Sequence, residues 1–163
     1  NSAFILSSLS PDRENHGRGY IARLSGASAE FLSIWAYLAF GPRPFRLQGS
    51  ELVYAPQPVL RGDFFTEEPQ KVAVQAGPTQ TQVVSIPANA FAYRFLGSTL
   101  VVYHNPDRRD TFGPDRVHIQ SFRLLDAEGK TIETAGSIVP LPLSTQIREG
   151  AFPRIDVFFG KRD

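Results

Sequence analysis

The feature that most restricts the fold is a succession of short, β-rich apolar runs broken every few residues by glycine or proline, 13 of each in 163 residues. The clearest case is Phe91-Ala92-Tyr93-Arg94-Phe95-Leu96, then Gly97-Ser98, then Thr99-Leu100-Val101-Val102-Tyr103. Two such runs around Gly-Ser predict a two-residue hairpin, with Gly97 supplying the positive φ of a type II′ turn. A second hairpin is predicted from Val117–Leu125, the turn Asp126-Ala127-Glu128-Gly129 and Lys130–Thr134. There Gly129 stands where a type I turn hands over to a left-handed bulge residue.

Upstream, Lys71–Ala76 alternates with period two, which places Val72, Val74 and Ala76 on one side. Gly77-Pro78 interrupts it, and Thr79–Ile86 resumes as a strand ended by Pro87. Further strands are expected at Phe4–Leu9, Tyr20–Leu24, Glu51–Tyr54 and Ile155–Phe159. Ala29–Phe40 satisfies two patterns. As a helix it has Ser28 as N-cap, Glu30 at its positive end, helix-forming alanines and leucines, and Gly41-Pro42 to close it. As a strand it has Leu32, Ile34, Ala36, Leu38 and Phe40 on one side, with Phe31, Trp35 and Tyr37 on the other. The helix is favoured. The expectation is one all-β domain over residues 1–163, an antiparallel β-sandwich of immunoglobulin-like or jelly-roll-like type with a short helix near 29–40.

Composition excludes several classes of function. Seventeen basic and sixteen acidic residues give a net charge of +1, spread evenly along the chain, so no field draws in nucleic acid. Glycine-rich phosphate loops are absent from the sequence. There is no cysteine, hence no disulfide framework, thiol nucleophile or thiolate metal site. The longest apolar run, Phe31–Phe40, is too short to span a bilayer. The chain has no methionine and begins Asn1-Ser2-Ala3-Phe4, as a fragment of a longer chain would or, most simply, a mature form after signal-peptide cleavage. An extracytoplasmic location (periplasmic, secreted or surface-associated) is the corresponding expectation.

Residues able to do chemistry are few. His16, His104 and His118 lack metal-ligand spacing, so solvated loop or strand-face histidines are expected and no metal or cofactor is predicted. Gly136-Ser137 lacks the second glycine of a nucleophile elbow. Asp107, Asp110 and Asp115 lack the spacing of a calcium loop, and the interleaved Arg108, Arg109 and Arg116 point to local ion pairing. Arg61-Gly62-Asp63 spells an integrin-recognition tripeptide, but ahead of Phe64-Phe65 it reads as a turn leading into buried apolar residues.

A helix over Phe31–Phe40 would be apolar nearly all round and would have to be buried on most sides. Part of it, together with Phe64-Phe65, suits docking against another subunit. The expected function is therefore a non-enzymatic β-sandwich module, a structural or assembly subunit contacting identical or different protein subunits. Its expected interface residues are Trp35, Tyr37, Phe64, Phe65, Arg108 and Arg109. Two alternatives stand beside it. One is a small-molecule or lipid carrier built as a closed β-barrel. The other is a hydrolase with His104 or His118 as base, oriented by Asp107, Asp110 or Asp115.

Overall fold

The computed structural model describes residues 2–22, 25–75 and 81–161. The chain divides into two compact units, Asn1–Ala36 and Tyr37–Asp163. In the first, β1 (Ser2–Ile5) and β2 (Gly19–Ala22) form an antiparallel ribbon, Ser2 opposite Ala22 and Ile5 opposite Gly19. Strand β1 is shorter than the expected Phe4–Leu9, and β2 begins one residue before the expected Tyr20–Leu24, of which Arg23 and Leu24 lie outside the described residues. Leu6 extends the pairing, donating to the Arg18 carbonyl and accepting from the Gly17 amide, and in the loop that follows His16 Nε2 donates to the Ser10 carbonyl at 2.8 Å.

Helix α1 (Ser25–Phe40) replaces the strand alternative for 29–40. It starts three residues before Ser28, which is therefore a helical residue rather than its cap. Its end is as expected: Gly41 adopts φ 81° and donates to the Tyr37 carbonyl at 3.1 Å. A Cβ at Gly41 would come within 2.8 Å of the Gln57 carbonyl oxygen, so both conformation and space require glycine.

The second unit is built on a five-stranded sheet. In chain order its pieces are β3 (Phe45–Gln48), β4 (Glu51–Tyr54), β5 (Gln70–Gln75), β6 (Thr81–Ile86), β7 (Ala90–Phe95), β8 (Thr99–His104), β9 (His118–Leu125), β10 (Thr131–Ala135), α2 (Leu143–Arg148) and β11 (Arg154–Gly160). The sheet order is β10-β9-β11-β8-β7, while β3–β4 and β5–β6 form separate antiparallel ribbons. The protein is thus mostly β, as its punctuation implies, but the sheet is mixed rather than antiparallel. Strand β11 enters between the two predicted hairpins, antiparallel to β9 and parallel to β8. The outermost strands β10 and β7 do not pair with each other, so the sheet is open, which excludes the closed barrel for this sheet.

The hairpin turns follow local chemistry. In β9–β10, Gly129 has φ 84°, and Asp126 Oδ1 accepts from the Glu128 and Lys130 amides at 3.0 and 2.8 Å. That is the predicted turn and bulge. The β7–β8 turn differs from expectation. Its central residues are Leu96 (φ 50°) and Gly97 (φ 75°), closed by Ser98 N–H to the Phe95 carbonyl at 3.3 Å. Positive φ at both central positions is the hand of a type I′ turn rather than II′, and it forces a leucine into the left-handed region.

Alternation along the strands separates the two faces of the sheet. The inner face carries rows such as Tyr93–Val101–Ile155–Leu124–Ile132 in direct register. Against it stand Phe45 and Tyr54 of the β3–β4 ribbon, with ring centroids 5.9 and 5.7 Å from Phe95. Tyr103 donates to the Ala39 carbonyl at 2.8 Å, and its hydroxyl lies 2.9 Å from that of Tyr93. Burial pushes the phenols of Tyr54, Tyr93 and Tyr103 well above their usual range. Helix α2, which nothing in the sequence signalled, buries Ile147 and anchors through Ser144 Oγ to the Leu52 carbonyl at 2.8 Å.

Candidate functional site

The outer face of the sheet is where polar chemistry collects. Register gives it three rows: Arg94–Leu100–Arg154–Leu125, Ala92–Val102–Asp156–Arg123–Glu133, and Ala90–His104–Phe158–Ser121. Asp156 occupies the centre. His104 Nε2 lies 2.7 Å from its Oδ1, and Arg154 grips both oxygens, Nε to Oδ2 at 2.9 Å and Nη2 to Oδ1 at 2.7 Å. Burial opposes the charge on Asp156, but the hydrogen bonds from His104 and Arg154 outweigh it and hold the carboxyl below the usual carboxylate range. The His104 ring stacks on Phe158 at 4.7 Å, and the Arg123 guanidinium lies 5.1 Å over the same ring while pairing with Glu133 at 2.9 Å.

His104 is therefore oriented by Asp156, not by Asp107, Asp110 or Asp115. Those three are engaged elsewhere: Asp107 faces Lys161 at 3.9 Å, Asp115 faces Arg109 at 4.0 Å, and Asp110 Oδ1 accepts from the Gly62 amide at 2.8 Å. Among the described residues no hydroxyl hydrogen-bonds to His104, and no group of three metal-ligating side chains occurs. His118 stands at the start of β9, beside Arg116 in a separate cleft.

Beside the ionic cluster, the outer face of β7 and β8 is overhung by the β5–β6 ribbon. A groove of about 450 Å³ runs between them, walled by Val72, Val74, Val84, Ala92 and Leu100 and bordered by Phe64 and Arg94. The predicted same-side placement of Val72 and Val74 supplies one wall, and Ala76 lies outside the described residues. Ile86, Ala90 and Val102 are buried together at one end, where Thr66 ties to Ala90 through paired backbone and side-chain hydrogen bonds.

The six expected interface residues fall in different environments. Phe65 is a core residue, packed edge-on to Phe91 and Phe159, and so cannot meet a partner. Its neighbour Phe64 points the other way and is exposed at the groove. Gly62–Phe64 forms the expected turn, and Arg61 and Asp63 are exposed and paired with each other at 2.8 Å. Arg108 crosses to Glu67 at 3.0 Å rather than pairing within its own loop. Its backbone carries φ 47°, and its carbonyl presses so closely on Gly62 that a Cβ there would overlap it. Trp35 and Tyr37 are both exposed.

Along α1 the expectation of near-complete burial fails. Phe31, Leu32, Ile34, Trp35 and Tyr37 are all exposed, Leu32 to 68% and Trp35 to 40%, while Phe31 and Trp35 pair edge to face at 6.5 Å. Within the second unit, Leu38 and Phe40 of its last turn pack against the core and Ala39 is buried. Among the described residues no helix is long and apolar enough to cross a membrane. No family model matches the chain, and no curated protein matches it significantly.

Proposed function

We propose that the chain is a non-enzymatic module that acts through protein–protein contacts, as a structural or assembly subunit of a larger complex. The observation that carries this reading is the run of large apolar side chains left in water along α1. Exposed apolar side chains of this kind, with Phe31 and Trp35 packed edge to face, mark interaction sites, and aromatic side chains concentrate the binding energy of interface cores. The β3–β4 ribbon facing the inner side of the sheet supports describing the second unit as sandwich-like. The near-neutral charge leaves association unopposed by self-repulsion. In this reading the His104–Asp156–Arg154 cluster is a structural ion network that organises the outer face.

The test is Trp35→Ala together with Leu32→Ser, examined by sedimentation and by thermal unfolding. The module reading predicts that assembly weakens by at least tenfold while the unfolding midpoint of the isolated chain is kept. A collapse of folding with each substitution would place these residues in the core and contradict it.

A further inference from the structure

Beyond the contact reading, and independent of it, we propose that the groove under the β5–β6 ribbon is a binding site for a small amphipathic carboxylate. Its aliphatic chain lies between Val72 and Val84 on one side and Ala92 and Leu100 on the other, with its head group on Arg94. The space, about 450 Å³, falls within the range of small-molecule sites, and its walls are apolar with few polar groups, as such sites require. It exists because β7 alternates small and large: Ala90 and Ala92 face the groove while Phe91 and Tyr93 pack in the inner core. Phe64 and Val72 remain 44% and 40% exposed at it, so apolar surface stands ready to be covered.

Charge fixes the class of ligand. Arg94 is the one charged side chain that lines the groove among the described residues. Its Nη1 donates to the Gly97 and Ser98 carbonyls at 3.0 and 3.3 Å, which holds the guanidinium on the turn and leaves Nε and Nη2 as donors. Two donors in that fork match one carboxylate. Arg154 lies on the far side of Leu100 in the same row, but Asp156 already takes its Nε and Nη2 and neutralises its charge. A lone guanidinium beside an apolar groove thus selects a monoanionic head and an aliphatic tail.

The experiment is calorimetric titration of the whole chain with dodecanoate below its micellar concentration, at neutral pH and low salt, with dodecanol as the uncharged comparison. The proposal predicts one dodecanoate per chain, and weakening of about tenfold or more in Arg94→Gln. Dodecanol should bind equally to the wild type and to Arg94→Gln, at the level of the weakened complex. Methyl resonances of Val72 and Val84 should shift on titration, a readout that does not depend on any variant folding. No binding of dodecanoate, equal affinity for dodecanol, or shifts confined to other methyls would each overturn it.

Discussion

His104 on β8 and Asp156 on β11 meet at 2.7 Å across a parallel strand pair, and the same carboxylate receives two hydrogen bonds from Arg154. The side chain of Asp156 is only 10% exposed, so its charge depends on these partners. Asp156→Asn is expected to cost about 2 kcal/mol, because it leaves Arg154 half-compensated on a partly covered face. Chemical denaturation at pH 7 measures this.

The pH dependence of the same group follows from the direction of its shift. A carboxyl held below its usual 3.8 contributes stability that is fully present above that value and is lost as pH falls through its lower folded-state value. Wild-type stability should therefore fall more steeply below about pH 4 than that of Asp156→Asn. Parallel acid profiles of the two proteins would contradict this account of the cluster.

Alkaline behaviour tests the tyrosine core. Tyr54 and Tyr103 are buried and Tyr93 is partly buried beside them, and their ionisation lies well above the usual 10.0. A raised folded-state value means that the contribution is complete below pH 10 and is lost as pH rises beyond it. Ultraviolet titration should show these three phenols ionising only together with unfolding. Smooth ionisation of all five tyrosines with the fold intact would sink the prediction.

Leu96 carries φ 50° at an exposed turn, a conformation that costs a leucine roughly 1 kcal/mol. Leu96→Asn should raise stability by about 0.5–1 kcal/mol, since asparagine tolerates the left-handed region. Thermal unfolding of the variant provides the check, and any loss of stability would contradict the type I′ reading of the turn.

Gly62→Ala should act in the opposite sense. The added methyl meets the Arg108 carbonyl, a backbone atom that cannot swing aside, and the Gly62 amide is tied to Asp110. A loss of about 2–3 kcal/mol is expected from this overpacking. A neutral result would show that the 105–117 loop is free to move.

What was legible in the sequence was what is local. Asp126 and Gly129 built the predicted turn because its hydrogen bonds close within five residues, and Gly41 ended α1 for the same reason. The insertion of β11 beside β8 was not legible, because no local pattern encodes a partner some 50 residues away. The His104–Asp156 contact depends on that insertion, so it was hidden too. Phe64 and Phe65 show the limit at its smallest: adjacent identical residues must face opposite ways, and only the packing of Phe65 on Phe91 and Phe159 decides which is buried. The groove did leave a trace, in the alternation of Ala90 and Ala92 with Phe91 and Tyr93.

The most direct test of the contact reading is native mass spectrometry of the protein isolated gently from its own source, paired with iodide quenching of Trp35, the single tryptophan. The account predicts two or more copies of the chain or a complex with other chains, in which Trp35 is shielded from iodide. A monomer whose tryptophan is freely quenched would contradict it.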